Sequence, residues 1–431
     1  MRLPFIPQDL RVLNSDGRIL FGTRTIRLFA YGFLSVVLMI YLSQIGLSET
    51  QIGLLFTLTL IGDTIISLWI TTKADHLGRR RMLIVGSVLM VFAGVLFAIT
   101  RDFVVLLITA TIGVISPSGN EVGPFLSIEQ ASLTQTVSNE KRTQIFAWYN
   151  LFGSFATALG ALIGGALIQA GQSAGLTPLG SYRVVVIGYA IIGLVLGLSF
   201  TRLSSRIEVF QSTPPVSIPK KSEGRFGLHR SRKVVFKLSA LFSLDAFAGG
   251  FVLQSIVAYW FHVRYNVSPV VLGSIFFGAN ILAGLSALSA AWVASKIGLI
   301  RTMVFTHIPS NILLILVPLM PNLPLAIAML LLRFSISQMD VPTRQSYTMA
   351  VVSPDERSAA SGITGIARTT GASLSPIFTG PLLANALLLN TPFIISGSLK
   401  ILYDLLLYRS FRAIKPPEEK GSPVPSRVGP G

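Results

Sequence analysis

The sequence predicts an all-α polytopic membrane protein, with twelve transmembrane helices forming two pseudo-symmetric six-helix bundles. Three observations predict it. Of 431 residues, 51% are hydrophobic and only 12% charged, about half the charge of an ordinary soluble domain. The apolar residues come in long blocks such as "RLFAYGFLSVVLMIYLSQIG" and "MLIVGSVLMVFAGVLFAI". Each is close to the roughly 20 residues that cross a bilayer as a helix, and in hydrocarbon such a run must satisfy its own backbone hydrogen bonds. Finally, the second half of the chain repeats the spacing of the first.

Taken in order, apolar runs and their polar breaks place spans near 24–45, 52–72, 82–100, 103–125, 144–170 and 183–202. Six more follow near 237–262, 269–294, 302–319, 323–345, 359–388 and 391–409. This division gives an N-terminal arm at 1–23, a bundle at 24–202, a basic linker at 203–236, a second bundle at 237–411 and a tail at 412–431. The arm has no apolar core of the kind a cleavable signal needs. The linker, "RLSSRIEVFQSTPPVSIPKKSEGRFGLHRSRK", is polar, basic and rich in proline. Placing the arm in the cytoplasm puts most of the 35 Lys and Arg residues on that side, as the positive-inside rule expects. Both termini are then cytoplasmic, and the cell (plasma) membrane is the expected location. The net charge of +17 follows from this topology. The basic residues form no groove with interleaved aromatics, so no nucleic-acid partner is expected.

The repeat is legible at two offsets. At 220, Gly53 falls on Gly273, Gly78 on Gly298 and Arg81 on Arg301. At 215, Gln130 falls on Gln345, Val137 on Val352, Ser138 on Ser353 and Arg142 on Arg357. Two like halves joined by a linker is a plan used by many transporters.

Between the second and third spans, "TTKADHLGRRRM" carries Asp75, Gly78, Arg79 and Arg80 in the spacing D-x-x-G-R-R. In this loop and in its twelve-span plan the chain resembles the major facilitator superfamily over nearly its whole length. The loop departs from that family's signature at Thr71, Lys73 and His76. The fifth span has "GALIGG", Gly160 to Gly165, similar to a motif of the family's drug:proton antiporters but with Ala161 in place of proline. The antiporters' fourth-span arginine is Thr109 here. The resemblance implies a transporter in which Asp75, Gly78, Arg79 and Arg80 form a cytoplasmic gate, with one chain sufficient for function. Independently of the family, glycine at 78 suits a tight turn, and a carboxylate at 75 can accept hydrogen bonds from a neighbouring helix N-terminus. The arginines serve equally well as a topogenic cluster.

Ionisable residues inside spans are functional candidates because burying them is costly. They are Asp63, Glu121, Asp245, Arg333, Asp340, Arg344, Arg368, Lys400 and Asp404. Asp63, Glu121 and Asp245 are candidates for carrying a proton. Asp63 is alternatively a structural aspartate paired with a neighbour such as Arg368. In the tenth span Arg333, Ser337, Asp340 and Arg344 fall on one helical stripe that faces the cavity or another helix. Asp340 and Arg344, one turn apart, are equally well a structural ion pair. Arg333 and Arg368 are candidate cavity residues, as is Gln254 for hydrogen bonding to substrate. Pro117, Gly119, Gly123 and Pro124 should break the fourth span around Glu121. Glu129, which the repeat sets on Arg344, suggests a salt bridge between the halves. Trp260, beside His262 and Arg264, reads as an interfacial anchor, and His307 as a packed polar residue. The glycines at 160, 164, 165, 362, 365 and 371 permit close helix approach.

No G-x-x-x-x-G-K-[ST] loop occurs, and four scattered histidines have no metal spacing, so neither cofactor nor metal is expected. No constellation suits an intramembrane enzyme, and the short loops leave no room for a receptor's outer domain. The expectation is proton-coupled secondary transport of a small molecule by alternating access, favouring efflux. The alternative is uptake or uniport of a small organic acid or nutrient.

Overall fold

The computed structural model describes residues 13–136, 139–208 and 228–414, apart from the side chains of Asp75 and of several residues between 135 and 147. The first half begins with a bent span, α1 (Ser15–Ser35) and α2 (Leu38–Gln44), which turn by 45°. Next come α3 (Glu49–Leu77), α4 (Arg79–Ile99), a broken span made of α5 (Phe103–Ile112) and α6 (Phe125–Thr136), α7 (Asn139–Ser173) and α8 (Pro178–Phe200). The second half begins with α9 (Arg232–Gly250) and α10 (Gln254–Tyr265), then α11 (Pro269–Ile297) and α12 (Leu299–Leu316). It ends with the broken pair α13 (Leu323–Ser337) and α14 (Asp340–Val351), the pair α15 (Arg357–Leu374) and α16 (Pro376–Ala384), and α17 (Thr391–Phe411). Among the described residues, eight segments are long and apolar enough to cross a membrane alone, and the bent pair α1–α2 makes a ninth. The fourth, eleventh and twelfth spans fall short because breaks or charges interrupt them.

Helix ends follow local chemistry. α1 starts well ahead of position 24 because Asn14 caps it, its side chain accepting from Gly17 N at 2.7 Å. Ser48 and Gln51 form a capping box at the start of α3, the reciprocal arrangement that satisfies two orphan donors. The expected repeat is present in the backbone. α3 and α11 are both 29 residues long, and both ends are offset by 220. Gly78 (φ 100°) and Gly298 (φ 87°) make the turns that follow them, a backbone region that L side chains rarely adopt.

Breaks in the spans follow proline and glycine. Between α5 and α6, Gly119 and Gly123 have φ of 71° and 83°. The freed backbone groups find partners, as hydrocarbon requires. Val114 O accepts from the Tyr189 hydroxyl at 2.7 Å and Val122 O from the Tyr31 hydroxyl at 3.0 Å. The tenth span also breaks, at 338–339, where Pro342 in the first turn of α14 cannot continue the helical ladder. The predicted stripe runs across this break, with Arg333 and Ser337 on α13 and Asp340 and Arg344 on α14.

Within the first half, α1 packs on α7 and α4 on α8; within the second, α9 packs on α15 and α12 on α17. Across the halves, α7 meets α11, and α3 meets α15 and α16. Small residues set these approaches, as they do where apolar burial alone drives no association. A Cβ on Gly160 would overlap the Phe29 carbonyl, and one on Gly165 the Pro269 carbonyl of the other half. Gly371 meets the Ser243 carbonyl in the same way. Gly362 and Gly365 have open space instead of the expected close neighbour.

At the end of the bundle away from the termini, hydrogen bonds join the two halves. Gln254 Nε2 donates to Ser35 Oγ at 2.7 Å, and Ser255 N to Pro117 O at 3.0 Å. The Ser255 hydroxyl lies 2.6 Å from both Ser35 O and Pro117 O, and Tyr259 donates to Glu49 at 2.5 Å.

Candidate functional site: two buried charge clusters and their unpaired neighbours

Each half carries its own cluster of buried charge. In the first, α1 presents Arg24 and the fully buried Arg27 to the broken fourth span. Arg27 Nη1 and Nη2 each lie 2.7 Å from a Glu129 oxygen, and Nε donates to Glu121 at 2.8 Å. Arg24 Nε reaches the other Glu121 oxygen at 3.1 Å, and its guanidinium lies 4.0 Å from the centre of the Tyr149 ring. The Tyr149 hydroxyl completes Glu129 at 2.7 Å. Two arginines and two carboxylates thus balance, with bidentate geometry of the strongest kind.

In the second half the hub is Asp245 on α9. Lys400 Nζ on α17 lies 2.6 Å from one of its oxygens, and Arg344 Nη1 on α14 lies 3.1 Å from the other. Arg344 also holds Asp340 at 3.0 Å, so the expected i, i+4 ion pair is present. His307 Nδ1 on α12 meets Asp404 at 2.9 Å, and Asn311 donates to the second Asp404 oxygen at 3.1 Å. His307 Nε2 stands 4.0 Å from Asp245. His307 therefore belongs to the charge network rather than to apolar packing. Glu129 and Arg344 each pair inside their own half, so no bridge joins them between halves.

Three side chains stand outside this pairing. Asp63, half-buried in the middle of α3, accepts from Gly123 N at 2.5 Å and Ser67 Oγ at 3.2 Å, and has no cation beside it among the described residues. It does not pair with Arg368. Arg333 and Arg368 are half-buried, the Nε of each is enclosed without a hydrogen-bond partner, and neither has an ion pair among the described residues. Ser337 Oγ is enclosed and unpartnered as well.

Other expectations fell differently. Gln254 holds Ser35 and Asn280, tying the halves together. Trp260 is fully buried, with Nε1 donating to Asn390 at 3.0 Å, so it is a core residue and not an interfacial anchor. In the signature loop, the side chain of Asp75 lies outside the described residues. The carboxylate found at the N-terminus of α4 is that of Glu208, which accepts from Arg79 N at 2.6 Å and Arg80 N at 3.2 Å. Arg79 and Arg80 donate to Ile207 O at 3.3 Å and Thr201 O at 2.5 Å, in the segment after α8. Sequence reasoning missed Arg24 and Arg27. Both lie within the span expected at 24–45 and are absent from the candidate residues named there. Their i, i+3 spacing beside an apolar block was the available signal.

The Major Facilitator Superfamily model matches residues 20–376. The chain belongs to that superfamily. It is 32% identical to the uncharacterized membrane protein YJR124C of Saccharomyces cerevisiae over 95% of this chain and 97% of the relative. It is 25% identical to the quinolone resistance protein NorA of Staphylococcus aureus over 138 residues, 32% of this chain and 34% of that one. Among solved structures it is similar to a bacterial homologue of the human lysosomal transporter Spinster, with a TM-score of 0.69 at 16% identity. That match covers 94% of this chain and 95% of the other. The protein is a multi-pass membrane transporter with the fold of this superfamily.

Proposed function

We propose that the protein is a proton-coupled secondary active transporter that moves a small molecule by alternating access, with Asp63 as the proton-carrying group. One observation carries this. Glu121, Glu129, Asp245 and Asp340 all sit in ion pairs and Asp404 sits on His307, whereas Asp63 is held by neutral donors alone. Protonating a paired carboxylate strands a buried cation, at a cost of about 3–5 kcal/mol. Protonating Asp63 strands none. The hydrogen bonds that close the bundle at one end support a carrier that opens at the other. The Lys and Arg distribution supports cytoplasmic termini, and the cell membrane is the proposed location.

A second reading concerns direction. The glycine motif of the fifth span and the partial likeness to NorA support export of a small amphipathic compound. The test for coupling is reconstitution of the full chain into liposomes with an acidic lumen and a luminal pH dye. Drugs, organic acids and sugars are then added in turn to wild type and Asp63→Asn. A compound that dissipates the gradient only in wild type is the expected result. Equal gradient-driven movement of a labelled compound by both proteins refutes the role of Asp63.

A further inference from the structure

We infer that the transported molecule is an organic anion, a carboxylate or phosphate that sits against the guanidinium groups of Arg333 and Arg368, and that it crosses together with the proton on Asp63. This rests on the proton-coupled reading above and names its substrate class.

The inference follows from which charges are paired. Arg24, Arg27, Arg344 and Lys400 each hold a carboxylate. Arg333 and Arg368 hold none among the described residues, although the Nε of each is enclosed. Arg183 also has an enclosed Nε without a partner, but it lies in the second turn of α8, from which an arginine reaches the interface. Arg333, in α13, and Arg368, in the middle of α15, have no such exit along their helices. The acids that could serve them are already engaged. The charge that reaches Arg333 is Asp245, which has both Lys400 and Arg344. The groups that reach Arg368 are Arg344, Asp245, Asp340 and Tyr403, and Asp340 is taken by Arg344. Asp404 is taken by His307 and Asn311. The second half thus sets Arg333, Arg344, Arg368 and Lys400 against three carboxylates. An uncompensated cation inside a bilayer is costly, and an anionic ligand removes that cost.

The first half has the opposite imbalance. Asp63 lacks a cation among the described residues, and Glu121, Tyr31 and Tyr189, which lie near enough to interact with it, do not neutralise it. A proton does. Counted as net charge with His307 neutral, the second half carries an excess of one. With a singly charged anion and the proton aboard, neither half therefore holds a net charge when the cavity closes. With only one aboard, a charge of one sign is left. In the empty carrier the net charges of the two halves are opposite, and α3 and α15, which bear Asp63 and Arg368, pack together. The fully loaded and fully empty carriers are therefore the ones that close at least cost, which makes the coupling co-transport. Under an inward proton gradient such a carrier imports, so this inference opposes the export reading.

The test uses the purified full chain. Thermal unfolding is followed with the sodium salts of acetate, benzoate, succinate, citrate and phosphate against matched chloride, with benzamide and benzylamine as neutral and cationic counterparts. At least one of the five anions should raise the midpoint saturably. Arg333→Gln and Arg368→Gln should each weaken that response about 10- to 100-fold, with the Lys variants keeping part of it. Without ligand, both Gln variants should unfold at or above the wild-type temperature, since each removes an unmatched cation. A lower midpoint would show that these arginines serve the fold, and would overturn the proposal. So would a response to none of the five anions, or to benzylamine alone. In liposomes, wild type should accumulate the responding anion faster under an inward proton gradient. Asp63→Asn should exchange that anion without responding to the gradient. If the arginine variants lose binding while Asp63→Asn remains gradient-driven, the co-transport step and the Asp63 reading fall and the anionic substrate stands.

Discussion

Asp245→Asn changes one charge and almost no volume at the hub of the second cluster. Lys400 Nζ, 2.6 Å from Asp245, loses its carboxylate. Asp404, one turn away on α17, is engaged by His307 and Asn311. Arg344 keeps Asp340 at 3.0 Å, so the damage concentrates on Lys400. Stranding a buried cation in this way costs about 3–5 kcal/mol. Lys400→Met is expected to cost less, about 1.5–3 kcal/mol for a lost charged hydrogen bond, because Asp245 retains Arg344. The double variant removes both charges and should lie close to wild type, since exchanging a buried pair for apolar groups is often neutral. The coupling in a double-mutant cycle should then exceed about 2 kcal/mol. The assay is equilibrium unfolding of the four proteins in one detergent, with helix content as the signal. Additivity of the two single variants to within about 0.5 kcal/mol would show that the 2.6 Å contact carries no energy, and the pairing logic above would fail with it.

Glu208→Ala should destabilise the protein by about 1 kcal/mol, the usual value of an N-cap, because its carboxylate serves two N–H groups at the start of α4; Glu208→Asp and unfolding midpoints check this. Gly78→Ala and Gly298→Ala should cost about 1–3 kcal/mol each and by similar amounts, since both occupy the same strained turn in the two repeats; unequal costs measured by thermal unfolding would break the equivalence. Glu356, in the loop between α14 and α15, is a pH probe. Burial pushes its carboxyl up, but hydrogen bonds from Ser231 and from the backbone of His229, Ser231 and Arg230 outweigh it and hold it at about 2 against an ordinary 4.5. Its folded value is depressed, so its contribution is full above about 4.5 and is lost as pH falls towards 2. Glu356→Gln should therefore flatten the dependence of the unfolding midpoint on pH between these values, and an unchanged slope would refute the assignment.

The fold was legible because hydrophobic length and the repeat are backbone-level signals. Gly78 and Gly298 occupy corresponding turns, both with positive φ, and the glycines of "GALIGG" meet α1 and α11 as small residues should. The break around Glu121 was legible for the same reason, since two prolines and two glycines leave the helix no continuation. The site was legible only as an inventory. A sequence states that Asp63, Asp245, Arg344 and Lys400 are inside the membrane, but not which face of each span meets which other. For Asp63 the sequence offers a proton carrier or a structural aspartate paired with a neighbour such as Arg368; in the structure it meets a backbone N–H instead of Arg368. His307 looked like an isolated polar residue because its partner is nearly a hundred positions away. Pro342 is the local signal for the two-residue break in the tenth span.

The two halves share a scaffold but invert its charges. In the first, arginines on the opening span hold carboxylates on the fourth; in the second, a carboxylate on the opening span holds an arginine on the fourth of its repeat. Glu129 and Arg344, which the repeat superimposes, stand on opposite sides of that inversion. Each half thereby closes most of its ionic bonds internally, and breaking one so that a buried charge is left uncompensated costs about 3–5 kcal/mol. The bonds described between the halves are of another kind: neutral hydrogen bonds at Ser35, Pro117, Gln254 and Ser255, the Tyr259–Glu49 contact, and glycine-lined helix crossings. A neutral hydrogen bond contributes about 1 kcal/mol net, and water at an opening surface replaces it. Opening that end therefore costs a few such bonds and no buried ion pair. Energies of this order are compatible with the rocking of two rigid bodies that the proposed mechanism requires. In that mechanism Asp63, Arg333 and Arg368, without ion pairs among the described residues, make the outcome depend on what occupies the space between them.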